Sequence, residues 1–197
     1  MPRPISINFQ ECAFTIPWSD NRQELHDGAY DVILEGKHVP DSQTTRAFVY
    51  DITRMGESAL ITARAPEFGG NLPAESETVV VREGDRLKIR ARVSAVRRQS
   101  VEGAQGKRQV VHKAISQEEL PEWVAALLER HGMVPEQVVC TNYQSVHVGR
   151  KNQRFAINEV SIEAVVTIRA ADQFVSAFLG GLGRHKGYGL GKMEVMS

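Results

Sequence analysis

Val160-Ser161-Ile162-Glu163-Ala164-Val165-Val166-Thr167-Ile168 places Val160, Ile162, Ala164, Val166 and Ile168 on one face, with Ser161, Glu163 and, one step on, Arg169 on the other. Apolar residues at every second position mark a strand with one buried face. Downstream, residues 171–179 set Phe174, Val175, Phe178 and Leu179 on the core side of a short helix, and a weaker strand follows over 188–196. Upstream, a weak strand covers 137–149, and 141–159 reads as a strand, a basic tip and a strand. Before it lies a helix over 117–131, with Leu120, Trp123, Val124, Leu127 and Leu128 on one stripe. That helix opens with the capping-box spacing Ser116-x-x-Glu119 and stops at Gly132. With a weak strand over 107–114, the order is β-α-β-β-α-β, the ferredoxin-like or RRM-like plan.

The first half repeats the plan incompletely. A weak strand over 4–16 leads to a helix over 20–35, where Leu25, Ala29, Val32 and Ile33 share a face and Ser19 or Asp20 caps the start. Strands follow over 46–53, 58–65 and 86–93. In the last, Leu87, Ile89, Ala91 and Val93 oppose Arg86, Lys88, Arg90 and Arg92. Between the second and third of these only a short element stands where a second helix belongs. Gln99 to Gly106, with Ser100, Gly103 and Gly106, reads as a linker. The expectation is an α+β chain of two tandem ferredoxin-like domains, 1–98 and 107–197, joined by 99–106.

A length of 197 residues with 42% apolar side chains suits two such domains and excludes global disorder. Net charge is zero, but its distribution is uneven. Residues 1–81 hold six basic and twelve acidic side chains, whereas 82–113 hold ten and three. The next block, 114–140, is again acidic and 141–197 carries a surplus of three positive charges. A neutral chain with a basic middle and a basic tail can offer phosphates one positive face. Two cysteines, Cys12 and Cys140, are too few and too far apart for a disulfide framework or a zinc site. The six histidines show no metal-ligand spacing, so neither metal nor cofactor is expected. With no apolar leader after Met1 and no run of about 18 apolar residues, the chain reads as soluble and cytoplasmic, with no membrane partner.

Residues 180–191 read Gly-Gly-Leu-Gly-Arg-His-Lys-Gly-Tyr-Gly-Leu-Gly. A Walker A loop fails here, because Met193 follows Gly191-Lys192 and Lys186 stands where the first glycine belongs. A dinucleotide fingerprint fails too, because the loop follows a helix and precedes a strand. Glycine permits positive φ and close backbone approach. With Arg184, His185 and Lys186 inside, the loop reads as a cradle for an RNA backbone.

This glycine-rich tail resembles the signature of the CRISPR repeat-processing endoribonucleases, and the CasE type fits best. The motif Leu25-His26-Asp27-Gly28, the segment Arg46–Pro66 and the block Lys107–Lys113 are also similar to CasE segments. The resemblance implies two ferredoxin-like domains and a ribonuclease that needs no metal. It would cut the hairpin repeats of CRISPR RNA, remain on the mature product and join the other subunits of an effector complex.

In such chemistry the ribose 2′-OH attacks the neighbouring phosphate, a base takes its proton and an acid protonates the leaving 5′-oxygen. Histidine, with a pKa near 6.5, can do both at neutral pH. His26 lies off the apolar stripe of its helix, on a face with Arg22 and Tyr30, and should point outward into a groove. By resemblance it is the catalytic histidine. Family members carry an assisting tyrosine one turn earlier, where this chain has Gln23; Tyr30 and Lys37 are the other candidates for that role. In Gly149-Arg150-Lys151-Asn152-Gln153-Arg154, a basic ribbon tip bearing Arg150, Lys151 and Arg154 suits a widened RNA groove. Arg97, Arg98, Lys107 and Arg108 flank the linker as phosphate contacts. Gly183, Arg184, His185, Lys186 and Gly187 complete the expected RNA surface. The competing reading is a non-catalytic RNA-binding subunit of the same ribonucleoprotein; the chain lacks the aromatic RNP pattern of ordinary single-strand readers.

Overall fold

The computed structural model describes residues 3–34, 48–69, 72–102, 108–150 and 153–196. Strand β1 (Ile5–Pro17) leads into helix α1 (Arg22–Ile33), then strands β2 (Val49–Met55), β3 (Ser58–Ala65) and β4 (Ala74–Val81). These strands form an antiparallel sheet in the order β2-β3-β1-β4. Next come β5 (Arg86–Ser94), β6 (Val96–Glu102), β7 (Arg108–Ala114) and α2 (Leu120–Glu129). The long strands β8 (Met133–Arg150) and β9 (Gln153–Ile168), helix α3 (Ala171–Gly180), a 3-10 turn (Lys186–Tyr188) and β10 (Met193–Met196) complete the chain. The second sheet runs β10-β5-β9-β8. Both sheets have the strand order of a ferredoxin-like fold, so the tandem architecture expected from the sequence is the one observed.

The strands are shared out differently from the sequence reading. Residues 86–94 were expected to end the first sheet, yet β5 pairs with β9 over Arg86↔Thr167 to Ser94↔Glu159 and with β10 on its other side. The row Leu87, Ile89, Ala91 and Val93 meets the row Val160 to Ile168, which buries both alternating patterns in one core. The fourth strand of the first sheet is instead β4, the short element, paired with β1 from Ile5↔Val81 to Cys12↔Ala74. Strand β7 joins neither sheet. It forms a hairpin with β6, from Val96↔Ala114 to Glu102↔Arg108, so 99–102 of the expected linker is strand and 103–107 lies outside the described residues. Sheet membership therefore divides the chain between β4 and β5, near residues 82–85, and not at 99–106.

Smaller differences have local causes. Asn21, not Ser19 or Asp20, caps α1, its side chain accepting from the Gln23 amide. The capping-box bonds from Ser116 N and Oγ to Glu119 are present, but α2 begins only at Leu120 because Pro121, which lacks an N–H, sits in its first turn. The last strand starts at Met193, since the turn at 186–188 and the positive φ of Gly189 and Gly191 break the extended chain before it. Among the described residues no helix is long and apolar enough to cross a membrane.

The first sheet packs Cys12, Ile16, Tyr50, Ile52, Ile61 and Ala63 against Leu25, Ala29 and Ile33 of α1. Its opposite face contributes Ile7, Phe9 and Val81 to the core of the second half, where Phe9 meets Phe178 edge-on at 5.1 Å. Arg64 crosses the same boundary. Its guanidinium lies 3.7 Å from the Phe178 ring, donates to the carbonyls of Phe178 and Met193, and pairs with Glu11. Burial lowers its pKa and Glu11 opposes that shift.

Candidate functional site

The glycine-rich loop closes against α1 and β2, and His26 sits at that junction. Its Nδ1 meets the carbonyl oxygen of Gly187. The buried Tyr50 hydroxyl donates to the same carbonyl and lies 3.4 Å from His26 Nδ1. Three rings surround the imidazole: Tyr30 at 4.1 Å and Tyr188 at 5.4 Å between centroids, with Tyr50 packed edge-on against Tyr30. A carbonyl can only accept, so Nδ1 carries a proton, and in the neutral ring the lone pair is then on Nε2. Gln23 is held at both ends of its amide, donating to Asp27 at 2.8 Å and accepting from the Tyr188 hydroxyl at 3.2 Å. The structure therefore brings His26, Gln23, Tyr30 and Gly187 together, while Lys37 lies outside the described residues.

The expected common outward face of Arg22 and His26 is not found. His26 is half-buried against the loop, and Arg22 is 5% exposed. Arg22 turns into the boundary between the halves and pairs with Glu159 at 2.6 Å. Glu159 is fully buried, accepts from Gln144 at 2.7 Å and lies 3.7 Å from Arg92, which itself pairs with Asp51 at 2.6 Å. Burial pulls the Arg22 pKa down against the pull of Glu159. For Arg92, burial also opposes the charge, but Asp51 and Glu159 outweigh it and raise the pKa. A buried acid between two guanidinium groups explains why this face of α1 is closed: removing Glu159 would leave Arg22 in low dielectric without its counter-charge.

The glycines also serve a purpose other than the expected open cradle. A Cβ on Gly189, at φ +71°, would lie 2.5 Å from Ile52, and one on Gly191 would lie 2.4 Å from the Leu182 carbonyl. Close packing onto β2 and back onto the loop itself accounts for both positions. That packing delivers the Gly187 carbonyl to His26.

The basic residues fall into two groups. Arg97, Arg98 and Arg184, with Gly183 and Ser94, line a cleft of about 620 Å³ that also receives Trp123, Arg130 and His131 from α2 and its end. Arg97 pairs with Glu119 at 2.8 Å, and Lys186 Nζ donates to the Gly180 carbonyl at 2.7 Å. His185, in the left-handed region at φ 56°, shares a 2.7 Å hydrogen bond with Ser94. Burial, then the charges of Lys186 and Arg130, depress the pKa of His131. Arg154 stands apart, exposed at the far end of the β8–β9 hairpin opposite Gly149. Asn21 joins this hairpin to α1, accepting from Gly149 N at 2.8 Å and donating to Gly149 O at 3.2 Å. Lys107 and Lys151 lie outside the described residues, as do the side chains of Arg108 and Arg150.

Sequence reasoning missed Tyr50, Asn21, Arg92 and Glu159. Tyr50 and Glu159 fell within strands recognised by their alternation, but alternation does not say which polar atom reaches across a boundary. Among the described residues no group of three His, Cys, Asp or Glu side chains is placed to hold a metal ion.

A family model for CRISPR associated protein matches residues 40–196. The structure is similar to Cas6e from Escherichia coli str. K-12, with 18% identity, a TM-score of 0.65 and coverage of 95% of this chain and 98% of that one. It is also similar to Cse3 of Thermus thermophilus bound to an RNA representing a pre-cleavage complex, at 15% identity, TM-score 0.65 and coverage of 96% and 99%. A chain of a CRISPR RNA-guided surveillance complex matches at 14% identity and TM-score 0.65, over 94% and 98%. No curated protein sequence matches.

Proposed function

Because the chain belongs to the CRISPR-associated protein family and has the fold of Cas6e and Cse3, we propose that it is a metal-independent endoribonuclease of CRISPR repeat RNA. It cuts the repeat hairpin, stays on the product and takes its place among the subunits of an effector complex. The observation that carries this reading is the bond between His26 Nδ1 and the Gly187 carbonyl. It fixes the tautomer, so that Nε2 is the nitrogen that takes the proton of the ribose 2′-OH or, once protonated, gives one to the leaving 5′-oxygen. The carbonyl also stabilises the imidazolium formed midway, since Nδ1–H donates in both protonation states. Tyr50 anchors that carbonyl, and Gln23 anchors Tyr188 beside the ring. Gln23 is thus a positioning residue in place of an assisting tyrosine. Arg154 at the hairpin end, together with Lys186 of the loop, holds phosphates of the stem.

The test is incubation of the protein with a labelled repeat hairpin in EDTA. Cleavage should persist and leave a 2′,3′-cyclic phosphate and a 5′-hydroxyl, and a 2′-deoxy scissile nucleotide should block it without loss of binding. His26→Ala should cut at least ~10² more slowly at nearly unchanged affinity. Strict Mg²⁺ dependence, or cutting of the deoxy substrate, would overturn the mechanism.

A further inference from the structure

A chain of rings leads from His26 to the arginine cleft. From His26 the next ring is Tyr188 at 5.4 Å, then His185 at 6.4 Å and His112 of β7 at 5.6 Å. His185 is hydrogen-bonded to Ser94, and Ser94 is part of the cleft wall, so the proposed reaction centre and the cleft are continuous. Phe155, near the hairpin end, approaches Tyr188 at 6.1 Å, so Tyr188 also joins the hairpin to this series of rings.

The cleft has the two elements that hold an unpaired strand. Four arginines, Arg97, Arg98, Arg130 and Arg184, supply positive charge; Arg97 pairs with Glu119, and among the described residues that line the cleft there is no carboxylate. Arg130 donates its Nε to the Ala126 carbonyl at 3.2 Å. The half-buried Trp123 supplies an aromatic surface beside them. Base stacking on an aromatic face with cations along the backbone is how single strands are held without sequence readout. A duplex stem would instead meet phosphates on a broad face and would have no use for a ring inside a cleft.

Resting on the endoribonuclease reading, we propose that this cleft binds the single-stranded RNA continuing past the scissile phosphate, on the side away from the stem. The strand runs from His26 over Tyr188 and His185 into the cleft, where a base stacks on Trp123 and the arginines take the phosphates. Holding both sides of the cut draws the scissile phosphate against His26 and keeps the 2′-oxygen in line with the leaving group.

The test compares three probes on the full chain by fluorescence anisotropy across a salt series. They are a hairpin ending at the scissile nucleotide, the same hairpin with a ten-nucleotide uridine extension and a 2′-deoxy scissile nucleotide, and the uridine oligonucleotide alone. Wild-type protein should bind the extended hairpin more tightly than the short one. The triple variant Arg98→Ala, Arg130→Ala, Arg184→Ala removes only exposed side chains. It should lose roughly tenfold for the extended hairpin, with a salt slope smaller by about 0.7 for each phosphate contact removed. Trp123→Leu should weaken the uridine oligonucleotide while keeping the apolar packing. Equal binding of the extended hairpin by wild type and triple variant would overturn the proposal, even with hairpin cleavage intact. So would loss of assembly with effector subunits at unchanged RNA binding, which would assign the cleft to a protein. The uridine oligonucleotide reports on the cleft even if the hairpin is neither bound nor cut, so failure of the nuclease reading is seen separately.

Discussion

The two halves share a strand order and differ in what covers their sheets. The second half is complete: α2 and α3 bury one face of its sheet, and the other carries exposed charge pairs such as Arg90–Glu163 and Arg86–Glu136. Among the described residues the first half has one helix. Alpha-1 covers Cys12 and Ile16, but on the same face Ser6, Asn8, Thr78 and Val80 stay exposed where a second helix would lie. Most of these are polar, and Thr78 hydrogen-bonds Asn8, which removes the need for a cover. The opposite face, with Ile7, Phe9 and Val81, is buried on the second half. An incomplete domain has therefore become a docking partner, and His26 is oriented by groups from both halves.

The sharpest way to break this comparison is Glu159→Ala. It leaves Arg22 and Arg92 facing each other across the boundary without their shared acid, and unfolding free energy should fall by about 3–5 kcal/mol in urea titration. Glu163→Gln, on the exposed face of the second sheet, should leave the midpoint where it is. Equal effects from the two would mean that the halves are not locked by their buried charges. Gly189→Ala should cost about 2 kcal/mol, because the added carbon strikes Ile52 at a positive φ, and cleavage should fall with it as the loop retreats from His26. Tyr50→Phe should be the mildest. Losing one buried hydroxyl costs about 1 kcal/mol, with a lower cleavage rate and unchanged hairpin Kd. A shift in Kd without a change in rate would place Tyr50 in RNA binding instead of His26 positioning.

Most elements were legible because their burial is one-sided and local. The rows Val160 to Ile168 and Leu87 to Val93 announce strands through periodicity alone, and the stripe from Leu120 to Leu128 announces α2. Partnership was not legible: nothing in Arg86–Ser94 says that β9, rather than β1, completes its hydrogen bonds. Beta-4 was obscured by Glu75, Ser76, Glu77 and Thr78, of which Ser76 and Thr78 lie on the uncovered face with Asn8 and Gln10. At the site, His26 was found through its motif, and the loop through its glycines. The packing need for Gly189 and Gly191 was not legible, because it comes from Ile52 and Leu182, one of them distant in sequence.

By itself, the sequence determined the α+β class, the ferredoxin-like plan of the second half apart from its first strand, the candidate histidine and the concentration of positive charge in 82–113. Each depends on spacing or composition within a short window, and side-chain periodicity carries that information directly. Only the tertiary structure decided which strands share a sheet, that Arg22 faces Glu159 and not solvent, and that Gly187 and Tyr50 orient His26. The deciding contacts, such as Arg86 with Thr167, Arg22 with Glu159 and His26 with Gly187, join residues more than twenty positions apart, and a buried carboxylate or hydroxyl leaves no periodic trace of the partner it will meet.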